Sequence, residues 1–354
     1  MKGLNNPIGM KSLEPSQSPF IMNPFRFGGA EAVGGWTEVG RTTNGSALGD
    51  ISVASLPDKR YYMILGDMRK GASTHGTGII MNADTGANSY AVRRSVNGGT
   101  DSTNINLSTD GGYITDTRGN HNFNVTYVSN LATKEKLWQN QNMWQSSAGA
   151  GNVPGREEGV GKWANTSNAM STFTYHSWGG NYGAGSECVV LGWDPVDEHT
   201  TNFWEELASV TASGSSDTLS SSITAKKYLW IQGYTENTTG SMSPRVGSTT
   251  LDSSSNYATR LSSNGGAEDN STASSITGLT NNTPIFWNMF IINNASNEKL
   301  MIWHVARQST AGAGNFPKRI EGVTKWANTS NQIDIVGFVS TTGGSTINSN
   351  SIMK

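Results

Sequence analysis

The sequence has little charge, a single cysteine and no long apolar run. Charged residues make up 15% of the 354 residues, well below the roughly 25% usual for soluble domains. The net charge of -2 comes without a Lys/Arg cluster, which argues against a protein that holds nucleic acid by neutralising phosphates. Because Cys188 stands alone, an internal disulfide and a cysteine-based zinc site are excluded, and we expect a buried thiol.

Membrane and export signals are also absent from the sequence. No apolar stretch approaches the length of a membrane span, and the residues after Met1 lack the apolar core of a signal peptide. The five histidines are scattered without a pair at ligand spacing, and the glycines from Gly149 to Gly155 are not closed by the Lys-Ser/Thr of a phosphate loop. The sequence therefore predicts no catalytic centre, no metal site and no cofactor.

An internal duplication dominates the sequence. The segments REEGVGKWANTSN (156–168) and RIEGVTKWANTSN (319–331) differ at two positions, and the same spacing holds upstream to the Glu-Lys-Leu triplets ending at Leu137 and Leu300. Each unit runs about 160 residues, which exceeds the roughly 20 to 50 residues of solenoid repeats and suits a domain with its own core. We therefore predict two similar domains in tandem.

The domain boundary is expected where an apolar run gives way to a polar, proline-containing stretch, Asp194 to His199. We predict an N-terminal arm at 1–30, a first domain at 31–195 and its duplicate at 196–354. Because the linker is short, the domains should touch. The second copy stops inside the strand that the first copy completes at Trp193, so we expect either an early end of the chain or a short final strand.

Short segments rich in β-branched and aromatic residues predict strands throughout the chain. We expect an all-β protein with about eight strands per unit, as a β-sandwich or jelly roll. The best helix candidate, Thr201 to Val210, has a first-copy counterpart interrupted by glycines, which argues against a helix. Asn-Gly-Gly at 97–99 and 264–266 predicts hairpin turns, since glycine tolerates positive φ. The clearest strand segments are Tyr61–Leu65, Phe123–Val128, Phe286–Ile292, Leu300–Val305 and Ile333–Val339.

The most strongly duplicated segment is the candidate site, and two interpretations stay open for it. As a binding site, its tryptophan would form a platform for stacking a sugar ring. As structure, Glu158 and Lys162 would pair across a turn, Trp163 would anchor the core, and the Asn-Thr-Ser-Asn run would form a loop bonded by its side chains. The duplicated residues are Arg156, Glu158, Lys162, Trp163 and Asn165, and Arg319, Glu321, Lys325, Trp326 and Asn328.

The first thirty residues form a proline-punctuated segment of a different character. It is too apolar for a solvated tail and too short for its own core. We expect it to pack as an extended assembly arm on the first domain, on a neighbouring subunit or on another protein. Its apolar side chains are Phe20, Ile21, Met22, Phe25 and Phe27.

Several motifs together resemble a family of uncharacterised virion structural proteins of marine bacteriophages. They are Ser-Asn-Tyr-Ala followed by Arg-x-Ser-x-Asn-Gly-Gly, then Asn-Glu-Lys-Leu, Ala-Gly-Ala-Gly and Gly-x-x-Lys-Trp-Ala-Asn-Thr-Ser. The resemblance covers both domains and implies a virion component. The tandem architecture is also similar, by analogy of fold, to double jelly-roll viral coat proteins. In the second copy the motifs stand at 255–258, 260–266, 297–300, 311–314 and 322–330.

These observations predict a non-enzymatic virion structural protein, either a coat subunit or a surface decoration or fibre subunit. Its expected partners are copies of itself, as a homo-oligomer such as a trimer, and other virion proteins. The alternative is a carbohydrate-binding, lectin-like or receptor-binding module with a glycan partner, which requires Trp163 and Trp326 to be exposed in a groove. A glycan-cleaving enzyme would need paired carboxylates, and neither Glu158 nor Glu321 has a duplicated acidic partner in sequence.

Overall fold

The chain folds into two β-sandwiches in tandem. In the described part of the chain every regular element is a β-strand, and the strands pair antiparallel. The prediction of an all-β protein with two tandem sandwiches is therefore confirmed. The computed structural model describes residues 35–72, 76–107, 113–115, 120–194, 202–212, 218–237, 240–277, 283–308, 316–341, 346–347, 349 and 351–354.

Domain 1 consists of a large and a small sheet. The large sheet has the strand order β1-β12-β3-β8-β9-β10-β5-β6, and the small sheet has the order β2-β11-β4-β7. The strands are β1 (Thr37–Thr43), β2 (Asp50–Val53), β3 (Tyr61–Arg69), β4 (Gly76–Met81), β5 (Tyr90–Val96), β6 (Ser102–Leu107), β7 (Tyr113–Thr115), β8 (His121–Ser129), β9 (Lys136–Gln145), β10 (Gly155–Trp163), β11 (Phe173–Trp178) and β12 (Glu187–Trp193).

Domain 2 repeats the large sheet in the order β13-β24-β15-β20-β21-β22-β18-β19, with a small sheet β14-β23-β16-β17. Its last described strand has two residues. The strands are β13 (Val210–Thr211), β14 (Thr218–Ser222), β15 (Tyr228–Thr235), β16 (Met242–Ser248), β17 (Thr250–Leu251), β18 (Tyr257–Ser263), β19 (Asp269–Ala273), β20 (Ile285–Ile292), β21 (Lys299–Arg307), β22 (Lys318–Trp326), β23 (Ile335–Ser340) and β24 (Ile352–Met353).

Two details of the sequence prediction change. Each domain has twelve described strands instead of about eight, because short edge strands such as β7 and β17 carry too few residues to give a periodic signal. Ile333 and Asp334 precede β23 instead of opening it, while residues 202–209 form no helix, in agreement with the prediction. The N-terminal arm and residues 195–201 of the linker lie outside the described residues.

The two Asn-Gly-Gly segments form the predicted hairpin turns, between β5 and β6 and between β18 and β19. Asn97 and Gly98 have φ of 50° and 66°, and Asn264 and Gly265 have 54° and 69°. Two consecutive residues with positive φ match the right-handed twist of the flanking strands. Each asparagine side chain also accepts a hydrogen bond from the backbone of the next large-sheet strand, at Arg156 N and Arg319 N.

Three apolar clusters show how the sheets are layered. One lies between the two sheets of domain 1 and includes Cys188, which is buried as predicted, and one lies between the two sheets of domain 2. The third contains residues from both large sheets, including Phe123 and Val189 of domain 1 and Phe290 and Ile302 of domain 2. The large sheets therefore pack face to face, and the order of layers is small, large, large, small.

The described residues contain no helix long and apolar enough to cross a membrane.

Candidate functional site between the sandwiches

The tryptophan of the duplicated segment is a core residue in each domain. Trp163 and Trp326 are only 1% and 2% exposed. Their indole nitrogens donate hydrogen bonds to Asp84 and Asp252, each at 2.7 Å. Because this bond satisfies the polar edge of the ring, the indole can be buried without an orphaned donor. Neither ring is available as a stacking platform.

A lysine and an asparagine complete this corner of the sandwich. Lys136 Nζ lies 5.2 Å from the ring centroid of Trp163 and donates to the carbonyl oxygen of Asn165 at 2.9 Å. The Asn165 side chain accepts from the backbone nitrogens of Ser167 and Asn168 and so fixes the loop. This half of the duplicated segment serves the fold. Domain 2 repeats the contacts through Lys299, Trp326, Asn328, Ser330 and Asn331.

The second lysine of the segment has different surroundings in the two copies. Lys162 pairs with Glu135 at 3.0 Å on the surface, whereas Lys325 is fully buried and pairs with Glu298 at 3.1 Å. The predicted pair between Glu158 and Lys162 is wrong. Both residues lie on β10, and four positions along a strand span about 13 Å, so no turn brings them together.

A loop of domain 1 explains why Lys325 is buried. In the connection from β9 to β10, the carbonyl oxygen of Ser147 accepts a hydrogen bond from Lys325 Nζ, and Gly149 N donates to a carboxylate oxygen of Glu298. The Lys325–Glu298 pair therefore forms part of the contact between the domains. Among the described residues, no loop packs in this way on the equivalent pair of domain 1, Lys162 and Glu135.

The charged residues at the start of the duplicated segment meet across the domain interface. Arg156 Nη1 donates to the backbone carbonyl of Glu321 at 3.0 Å. The same guanidinium lies 3.5 Å from the carboxylate of Glu268 and 3.6 Å from that of Glu158. Arg319 lies 3.4 Å from the carboxylate of Glu321. The two copies of the Arg-x-Glu motif thus form one ion-pair network that joins the large sheets.

A histidine lies at the centre of this network. His304 Nε2 is 3.2 Å from Nε2 of Gln141, which occupies the equivalent position in domain 1. Burial, with Arg156 and Arg319 nearby, lowers the pKa of His304 to about 4. The imidazole is therefore neutral at pH 7 and accepts a hydrogen bond from the Gln141 amide. Burial also raises the pKa of Glu158, although Arg156 opposes this shift.

Three residues of the network have the composition of a metal site. Glu158, His304 and Glu321 each place one ligand atom within 4.8 Å of the others. However, Arg156 and Arg319 already compensate the two carboxylates, and a dication would lie close to both guanidinium groups. The imidazole nitrogen is engaged in a hydrogen bond as well. This arrangement suits an ion-pair network better than a cation site.

A second polar network joins the domains on the same face of the large sheet, at β3, which is three strands away from β10. The buried carboxylate of Asp67 lies 2.6 Å from His121 Nε2, 3.3 Å from Lys227 Nζ and 3.1 Å from the amide nitrogen of Asn294. Lys227 and Asn294 belong to domain 2. Burial alone would raise the pKa of Asp67, but His121, Lys227 and Arg69 together hold it well below its usual range. The carboxylate therefore stays charged inside the interface.

An apolar groove of about 680 Å³ lies on the part of the domain 1 large sheet around β3, β8, β9 and β10. Leu137 and Val160 on its floor are 57% and 52% exposed. The rings of Tyr61 and Trp193 stack at 5.4 Å in its wall, and Trp36 contributes a further wall residue. An exposed apolar area of this kind is typical of an interaction surface.

Sequence reasoning found only part of this arrangement. The duplication pointed to Arg156, Glu158 and their copies, but no local spacing connects them with His304 or Asp67, which are brought together by contacts between distant strands. The apolar arm residues 20–27 lie outside the described residues.

Comparisons with known proteins give no identity for this chain. No family model and no curated protein match it. The mouse laminin α1 chain domains LG4-5 are similar at 10% identity with a TM-score of 0.15, over 93% of this chain and 92% of that chain. Human GIVD cytosolic phospholipase A2 is similar at 8% identity with a TM-score of 0.11, over 77% of this chain and 33% of that chain. Scores this low carry no inference about fold or function.

Proposed function

We propose that this chain is a non-enzymatic structural subunit that acts by associating with copies of itself in a virion, as a coat, decoration or fibre subunit. The virion setting rests on the resemblance of its repeated motifs to marine bacteriophage structural proteins. A trimer of such chains would present six similar sandwiches. Face-to-face packing of the large sheets, with ion pairs on both sides of an apolar centre, joins the two sandwiches of each chain into one building unit.

The observation that carries this proposal is an apolar surface that is covered in one domain and open in the other. Leu300 and Val323 of domain 2 are buried in the cluster between the large sheets. Their counterparts in domain 1, Leu137 and Val160, form the exposed floor of the groove. A continuous exposed apolar groove is typical of an interaction surface. We take a second copy of the chain as the partner that covers it, because the equivalent surface of domain 2 is covered by a domain of the same fold.

The residues on which the carbohydrate-binding alternative was based cannot form a binding surface. It required the duplicated tryptophans to be exposed, and both Trp163 and Trp326 are buried and bonded to aspartates. A glycan-binding surface would have to use other residues.

Self-association can be tested by light scattering of the full-length chain over a range of concentrations, with negative-stain microscopy of the same samples. We expect dimers, trimers or larger assemblies. Replacing Val160→Glu should shift the mass towards monomer, because a charge would be buried in the contact. Replacing Ile105→Glu, which alters an exposed apolar residue outside the groove, should leave the mass unchanged. A wild-type chain that stays monomeric at high concentration would contradict the proposal.

A further inference from the structure

The inner face of the domain 1 large sheet carries a row of buried polar side chains. Along β9 the side chains of Trp138, Asn140, Asn142 and Trp144 alternate onto this face, and the two asparagines are at most 2% exposed. Asn142 is paired in register with Asn124 on β8, which is fully buried. Two indole rings thus flank a group of carboxamides inside the sandwich.

Two neighbouring strands extend this row with a neutral ion pair. Glu157 on β10 lies in register with Asn142 and is 1% exposed. Arg94 on β5 pairs with the Glu157 carboxylate at 2.9 Å. The edge strand β7 of the small sheet contacts β9 and β10 and so lies over the row. The side chains of this row can donate and accept hydrogen bonds, and together they carry no net charge.

Several of these polar atoms lack a partner within the described part of the chain. Neither the oxygen nor the nitrogen of the Asn124 amide has one, and the same holds for Asn142. The indole nitrogen of Trp138 is also buried without a partner. Buried amide groups in native proteins are almost always satisfied, so these atoms call for a hydrogen-bonding partner that the described residues do not supply.

The fold itself does not require polar residues at these positions. In domain 2 the matching side chains all belong to the apolar core between its sheets. The pairs are Asn122/Ile285, Asn124/Trp287, Thr126/Met289, Asn140/Trp303, Asn142/Val305, Glu157/Ile320 and Arg94/Leu261.

We propose that the interior of domain 1 binds a small, uncharged, polyhydroxylated molecule of the monosaccharide class. Each hydroxyl group both donates and accepts a hydrogen bond, which matches the paired oxygen and nitrogen of a carboxamide. Trp144, two positions from Asn142 on the same face of β9, offers an apolar surface to one face of a sugar ring. The Arg94–Glu157 pair compensates its own charge, which disfavours a phosphate, a carboxylate or a metal ion as occupant. This proposal is independent of self-association.

The first experiment compares the native and denatured masses of the purified full-length chain by mass spectrometry. An extra mass that is released on denaturation and has the composition of a sugar supports the proposal. A native mass equal to that of the polypeptide leads to titration with D-glucose, D-galactose and N-acetyl-D-glucosamine by calorimetry. Saturable one-to-one binding of any of the three supports the proposal. No bound mass together with no binding of any sugar overturns it and leaves ordered water as the occupant.

Two variants that each copy the domain 2 residue locate the site. Asn142→Val changes the inner face of β9, and Gln139→Ile changes the outer face of the same strand, where domain 2 has Ile302. We expect Asn142→Val to weaken binding at least about tenfold, because it removes two hydrogen-bonding atoms. Gln139→Ile should bind like wild type. If Asn142→Val, shown to be folded by its thermal transition, binds with unchanged affinity, the interior site is overturned.

Discussion

Inside domain 2, the indole rings of Trp287 and Trp303 lie between the two sheets, whereas the same positions of domain 1 carry Asn124 and Asn140. The large-sheet strands that carry these residues have the same order and the same register. An apolar interior stabilises a domain by roughly 25 cal/mol for each Å² of apolar surface buried. Each unsatisfied buried polar group costs about 1–3 kcal/mol. Domain 1 therefore keeps buried polar groups that lower its free energy of unfolding, although domain 2 shows that the same fold forms without them.

The shared features explain how one scaffold carries both interiors. The corner built from a buried tryptophan, its aspartate and its lysine is the same in both domains, as are the two Asn-Gly hairpin turns. These local contacts fix the strand ends and the register. The middle of the sheet is then free to vary, which is where the copies differ most.

The largest expected difference in unfolding free energy is between substitutions at equivalent positions in the middle of β21 and β9. Trp303 packs on Gly322 and donates from its indole nitrogen to Thr324 Oγ1 at 3.0 Å. Trp303→Ala should lower the free energy of unfolding by about 3–5 kcal/mol. Asn140→Ala, at the equivalent position, should cost less, about 1–2 kcal/mol, because it removes a smaller side chain and the acceptor of the Thr126 hydroxyl. Urea unfolding of the full-length chain measures both. Equal losses of unfolding free energy in the two variants would show that the two interiors contribute equally to stability.

The next comparison uses the two copies of the Glu-Lys pair. Lys325→Met leaves Glu298 buried without its cation and removes the bond to the Ser147 carbonyl, so we expect a loss of about 3 kcal/mol in unfolding free energy. Lys162→Met breaks an exposed pair and should cost less than about 1 kcal/mol. Thermal melts of the two variants test this. A large effect of Lys162→Met would mean that its surface is covered in solution.

A third comparison concerns pH, because His304 titrates and its counterpart Gln141 does not. The pKa of His304 is lowered from 6.5 to about 4, so between these values the unfolded chain binds a proton that the folded chain excludes. Stability from this group is fully present above pH 6.5 and is lost as the pH falls towards 4, by at most about 3 kcal/mol. His304→Gln should flatten this part of the stability profile. An unchanged profile would contradict the assignment of a neutral buried imidazole.

The sequence predicted the parts of the structure that depend on local patterns. Alternating and β-branched segments located the main strands, and Asn-Gly at 97 and 264 located the hairpins. The duplication predicted two domains, but it could not show that their large sheets pack face to face, because that contact joins residues such as Asp67 and Asn294 that are far apart in the chain. The polar row was present in the sequence as alternating Trp and Asn on β9, yet its burial depends on the small sheet above it.

The smallest expected effect tests whether the polar interior is retained for a ligand. In protein freed of small molecules by denaturation and refolding, Asn142→Val should raise the unfolding free energy by about 1 kcal/mol, because it replaces unsatisfied amide atoms with the apolar residue found at Val305. In protein carrying a bound sugar the same change should be destabilising, since the wild type gains more binding energy than the variant. Thermal melts with and without the sugar compare the two cases. Destabilisation in both would show that Asn142 contributes to packing within domain 1 itself.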